Sequence, residues 1–100
     1  MSLKEAKDVY IGKLKGQLDA WSADLDAMDA KARQADAEFK EKYKAKAEEL
    51  RYQKTLAQGR INALQEAADD AWEELRNGSE SIWATVRQTF ADAKAKFDNK

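Results

Sequence analysis

The sequence predicts an all-α, self-associating protein: a long coiled-coil helix followed by a shorter C-terminal helix. Three observations lead there. Prolines are absent, 37% of the residues are charged, and apolar residues recur at three- and four-residue spacing through most of the chain. Hydrophobic residues make up 43% of the 100, but nineteen of them are Ala, leaving 24 larger apolar side chains. That supply is thin for a globular monomer and ordinary for a long helix.

The first element begins at a capping box. In "SLKE", Ser2 can accept the Glu5 N–H while the Glu5 carboxylate reaches back to Ser2 N–H, so a helix is predicted from Leu3. A seam follows through Ile11, Leu14, Leu18, Trp21, Leu25, Met28, Ala32, Ala35 and Phe39. Spacings of four carry it through Tyr43 and Ala47 to Leu50, a phase slip that relaxes supercoiling near residues 39 to 47. It resumes at Ala57, Ile61, Leu64, Ala68, Trp72 and Leu75, with Lys54 intruding. Gly12, Gly16 and Gly59 are isolated and lack turn partners. One helix over 3–76 is therefore expected, and a straight rod of that length cannot bury its own seam. Leu14, Leu18, Trp21, Leu25, Met28, Ala32, Ala35 and Phe39 are the expected oligomer interface.

Charge along this rod is blocked. Asp19, Asp24, Asp26 and Asp29 come without a base, residues 31 to 60 carry an excess of Lys and Arg, and 66 to 80 are acidic again. A parallel in-register dimer would stack like on like. An antiparallel dimer centred near Ala35 sets acid against base and is the favoured geometry, although surface pairs contribute little each.

The last element depends on "NGSES". Asn77-Gly78 is a helix-stop pair and Ser79 a ready N-cap, which predicts a hinge at 77–79 and an amphipathic helix over 80–98. The apolar stripe nevertheless keeps its phase across the interruption. Trp72, Leu75, Ile82, Trp83, Val86, Phe90 and Phe97 all fall on one face. If the hinge folds back, this face packs in a protein core; if it swings free, it is an exposed stripe available to lipid. Arg76, Arg87, Lys94 and Lys96 flank it, as cations do on helices that rest in anionic headgroups.

Composition removes many chemistries. With no Cys and no His, thiolate metal sites, imidazole bases and the usual triads are excluded. Neighbouring carboxylates such as Asp69-Asp70, Glu73-Glu74 and Glu48-Glu49 point apart on a helix and read as solvated face. The basic stretch "KEKYKAK" around Tyr43 is diluted by neighbouring Glu, and the formal net charge is −1, so no nucleic-acid partner is expected. No catalytic residue, metal ligand, cofactor or small-molecule substrate is evident, and Trp21, Trp72 and Trp83 read as packing anchors. No segment has the length or apolarity of a signal-peptide core or a membrane span, so a cytoplasmic protein is expected.

"YIGKLKGQLDAW" (10 to 21), the Ala/Lys/Asp-rich middle, "EELR" (48 to 51) and "DAWEELRNGSESIW" (70 to 83) resemble small bacterial coiled-coil proteins of the stress-response type. The resemblance covers nearly the whole chain, but its motifs are helical patterns rather than a catalytic signature. The sequence departs at "TVRQTFADAKAKF", which is more aromatic than the Ala/Glu-rich tail of that family. The resemblance implies a cytoplasmic protein with no assigned reaction and a link to stress. The expected function is a non-enzymatic structural or interaction protein that pairs with itself. The alternative is a peripheral protein of anionic lipid surfaces, with 80–98 as its detachable element.

Overall fold

A computed structural model describes the backbone of residues 2–98 and the side chains of residues 2–96. Three helices, α1 (Leu3–Arg33), α2 (Ala37–Glu66) and α3 (Asp69–Asp98), run up, down and up. Together they form a bundle of 52 × 19 × 18 Å. The fold class is all-α, with three helices where two were expected.

The single helix expected over 3–76 is corrected by two turns. At the first, Gln34 and Ala35 N–H groups bond back to the Lys31 and Ala32 carbonyls at 3.2 Å each. Asp36 then caps α2 by accepting Phe39 N–H at 2.8 Å. Lys31 and Arg33 place positive charge in the last turn of α1, where the helix dipole favours it. The phase slip at 39–47 lies just beyond this turn. At the second, Ala67 is extended, with φ −65° and ψ 135°, and no base of α2 sits in its own last turn. Lys7 supplies the missing cation from α1, donating to the Ala67 carbonyl at 3.1 Å and to Asp69 at 2.8 Å. A contact sixty residues away in sequence thus fixes a turn that no local signal announces.

These turns let one chain cover its own seam. Ile11, Leu14, Leu18, Trp21, Leu25, Met28 and Ala32 are buried on α1, while Ala35 and Phe39 are half-buried around the first turn. They meet Tyr43, Ala47, Leu50, Ala57, Ile61 and Leu64 of α2, and Trp72, Trp83, Val86, Phe90 and Ala93 of α3. The side chains assigned above to a chain-to-chain interface therefore leave water inside a single chain. Each fully buried aliphatic such as Leu50 or Ile61 contributes about 1.5–3 kcal/mol. Ala68, placed on the seam by its spacing, is exposed in the second turn.

The hinge at 77–79 is also corrected: Asn77, Gly78 and Ser79 lie inside α3, and no glycine has positive φ. Local stop signals lose to a tertiary clamp. Ser79, 0% exposed, donates from Oγ to the Leu75 carbonyl at 2.7 Å and accepts from Arg60 Nε of α2 at 3.0 Å. Arg60 Nη2 adds a bond to the same carbonyl at 3.3 Å. The shorter helix expected over 80–98 is the second half of this continuous α3. Its stripe is indeed unbroken in phase: Trp72, Trp83, Val86 and Phe90 are buried, and Leu75 and Ile82 are half-buried. Phe97 lies outside the residues whose side chains are described.

Because Gly78 is helical, a methyl group there meets only Arg60 Nη2, at 3.4 Å. Gly78→Ala should therefore stabilise the fold by about 0.5–1 kcal/mol through helix propensity. Its thermal midpoint should rise by a few degrees in calorimetry; a fall would mean that the chain bends at residue 78.

Candidate functional site

The sequence places aromatic residues eleven apart twice: Tyr10 and Trp21 on α1, Trp72 and Trp83 on α3. α1 and α3 run parallel, and the matched spacing brings both pairs into contact. Tyr10 meets Trp72 edge-on with ring centroids 5.8 Å apart. Three turns further along, Trp21 lies 5.1 Å from Trp83 and stacks on Phe90 at 5.3 Å with an interplanar angle of 11°. Trp83 Nε1 donates to Gln17 Oε1, so the one polar atom of that indole is satisfied inside the bundle. Lys7 Nζ stands 5.5 Å from the Trp72 ring centroid, a cation–π contact at the end of the same column. The Tyr10–Trp21 spacing was the legible signal for this column, and the tryptophan pair alone does not carry it.

A second cluster joins α1 to α2. Tyr43, from the middle of the basic stretch, turns inward at 5% exposure. Its hydroxyl donates to Asp29 Oδ1 and lies 3.3 Å from the Leu25 carbonyl. Arg51 Nη2 bonds both Asp29 oxygens, at 3.2 and 3.4 Å. Burial, the hydrogen bond to Asp29 and the charge of that carboxylate together push the Tyr43 phenol well above its ordinary range. Near neutral pH it is a neutral donor, not a base or nucleophile. An open groove of about 420 Å³ adjoins it, with Arg33 and Lys40 on its walls.

A third lies between α1 and α3, where Tyr10, Trp72, Lys13 and Arg76 line a groove of about 220 Å³. Burial first, then the Glu80 charge, raise the Tyr10 phenol; Arg76 partly opposes them. Among the described residues Arg76 Nε is buried and has no hydrogen-bond partner.

The paired carboxylates stay apart as chemistry. Asp69 binds Lys7, Glu49 binds Lys46 at 3.1 Å, and Glu73 lies 3.9 Å from Arg76. Among the described residues no three Asp or Glu side chains gather where a metal ion could be held. No helix of the described residues is long and apolar enough to cross a membrane. Of the cations flanking the α3 stripe, Lys94 reaches Asp24 of α1 at 3.6 Å, while Arg87 and Lys96 are exposed.

The outside of the bundle carries a further feature, separate from the seam. A surface helix normally turns charge outward. On α1 the line opposite the core runs Val9, Gly12, Gly16, Ala20, Ala23, Ala27 and Ala30, all exposed and none charged. Val9 is 51% exposed. On α2, Tyr52 at 62% and Leu56 also face solvent, but Glu41 and Glu48 share that side.

Comparison with protein-family models, with curated proteins and with solved structures finds no match for this chain.

Alkaline pH should expose the Tyr43 cluster. A phenol whose folded value is raised contributes stability that is complete below the unfolded value, about 10, and declines as pH climbs above it. Tyr43→Phe should cost about 1–2 kcal/mol at pH 7 through the lost bond to Asp29. Between pH 9 and pH 11.5, an interval spanning the ordinary phenol value of about 10, its urea midpoint should fall less steeply than that of the parent. Parallel pH profiles would contradict this account of Tyr43.

Proposed function

We propose that this chain is a non-enzymatic helical interaction protein that works through the outside of a closed three-helix bundle. The observation that carries the reading is the uncharged, solvent-facing line of Val9, Gly12, Gly16, Ala20, Ala23, Ala27 and Ala30 on α1, on a helix whose opposite face is already committed to the core. Most of the larger apolar side chains are otherwise spent internally, and the grooves beside Tyr43 and Tyr10 are open to solvent. Taken with the resemblance to small bacterial coiled-coil proteins of the stress-response type, the role we assign is structural or protective, in the cytoplasm.

A second reading is carried by the cations beside the α3 stripe. A lipid-binding role needs α3 to leave α1 and α2, because Trp72, Trp83, Val86 and Phe90 are buried. Such an opening would dismantle the Trp21–Trp83–Phe90 stack and break the Lys94–Asp24 and Arg60–Ser79 contacts.

The two readings separate on anionic vesicles. We expect the protein to stay out of floated phosphatidylglycerol vesicles and to keep the near-ultraviolet circular dichroism of its stacked tryptophans. Co-flotation with loss of that signal, while helix content is retained, overturns the closed-bundle reading in favour of the lipid one.

A further inference from the structure

We infer that the partner on the outer face of α1 is a second copy of this chain, docked antiparallel about a two-fold axis between Ala20 and Trp21. The inference rests on the interaction-protein reading above and names its partner, face and register.

The first argument is backbone space. Gly12 and Gly16 lie one turn apart on the outer line, have no positive φ, and have nothing within 4 Å of where a Cβ would stand. The fold itself gives no reason for glycine there, and glycine weakens a helix relative to alanine. Close approach of another backbone from outside gives one. With 3.6 residues per turn, Val9, Gly12, Gly16, Ala20, Ala23, Ala27 and Ala30 fall within roughly 80° of arc, so two such faces can meet with the helix axes near the lower limit of helix packing distances.

Charge is the second argument, and it selects the occupant. One flank of this line carries Asp8, Lys15, Asp19, Ser22, Asp26 and Arg33 in chain order. Asp8, Lys15, Asp26 and Arg33 have no ion-pair partner among the described residues. With Asp19, which has no ion pair either, the charges of this flank read minus, plus, minus, minus, plus, and reversal complements all of them except Asp19, which falls opposite a neutral Ser22. A two-fold that reverses the helix sets this flank against the same flank of the second copy. Asp8 then stands at the height of Arg33 of the second copy, Lys15 at that of its Asp26, and Asp19 at that of its Ser22. The same register staggers the small residues, with Gly12 between Ala27 and Ala30 of the second copy and Gly16 between its Ala23 and Ala27.

A parallel pairing brings opposite flanks together at equal height. Lys15 would then meet Lys13, Asp26 would meet Asp24 and Arg33 would meet Lys31, like charge on like at three heights. Self-complementarity therefore holds in one orientation only, and charge pairs of this kind set register and orientation more than raw affinity. The face differs from the seam centred near Ala35 expected from sequence, since that seam is the core of the monomer.

The test is charge reversal at two exposed positions that the fold does not use. Sedimentation velocity over a concentration series should show a reversible monomer–dimer equilibrium for the parent, weakened by added salt. Lys15→Asp alone and Asp26→Lys alone should each weaken the dimer by roughly tenfold or more, since each places like charges together twice per dimer. The double variant Lys15→Asp/Asp26→Lys should recover dimerisation, and so should an equimolar mixture of the two single variants. Gly16→Leu should abolish the dimer while leaving the monomer at least as helical by circular dichroism. A parent that stays a single chain to roughly 0.5 mM, a range that covers even millimolar-class affinities in part, overturns the second-copy proposal. So does a dimer indifferent to both reversals, or a mixture that fails to recover. None of these results bears on the vesicle experiment, which alone decides whether the bundle works closed.

Discussion

Trp21 stacks on Phe90 at 5.3 Å and leans on Trp83 at 5.1 Å, joining two helices that are not neighbours in the chain. The contact repeats one column lower, where Tyr10 meets Trp72, because both helices space their aromatics by eleven residues. An offset of 62 residues separates the members of each pair, and it fixes the rest of the architecture. The chain must travel the length of the bundle twice before it can place residue 83 beside residue 21. Helices of 31 and 30 residues with turns at 34–36 and 67–68 do so. A turn displaced by a few residues would shift the return of α3 along α1 and pull both aromatic pairs apart.

The polar contacts reinforce the same register at separate heights. Lys7 ties the end of α2 to the start of α3, Gln17 receives the Trp83 indole N–H, Asp24 meets Lys94, and Asp29 is held by Tyr43 and Arg51. Several are partly buried, so a slipped bundle would leave them desolvated and unpaired, a penalty larger than the net gain of forming them. The Arg60–Ser79 clamp acts in the same way on α3. It holds the Leu75 carbonyl and the Ser79 hydroxyl in place at the point where Asn77-Gly78 would otherwise favour ending the helix.

Phase was legible in the sequence and breaks were not. Ile11 through Ala32 on α1 and Trp72 through Phe90 on α3 could be read as buried lines because amphipathic periodicity is a local property with many residues voting for it. The turn at Ala67-Ala68 could not, since alanine is a poor cap and its stabilising cation arrives from Lys7. The turn at 34–36 had a signal in Asp36 behind the basic Lys31 and Arg33, but an apolar spacing that ran on through Ala35 and Phe39 masked it. The expected break at 77–79 failed for the opposite reason, a strong local signal overruled by Arg60 from another helix. The chain-to-chain seam followed from reading a rod: once the two turns exist, the same residues cover one another.

Small side chains, not large ones, mark the outer face of α1. Alanine on an exposed helix has a sufficient explanation in helix propensity, so Ala20, Ala23, Ala27 and Ala30 taken alone say nothing about a partner. Glycine has no such explanation. Gly12 and Gly16 lower the stability of α1 without relieving any contact inside the bundle, and they share their line with Val9, an apolar side chain held 51% in water. On the same helix, the inner face keeps large side chains because it must fill volume between three helices, whereas the outer face keeps small ones beside a row of charges of both signs. Volume filling cannot account for that second pattern, and solubility would be better served by charge on the outermost line itself. The second copy proposed above, drawn close by its reversed charge pattern, would account for both the missing side chains and the placement of the charges.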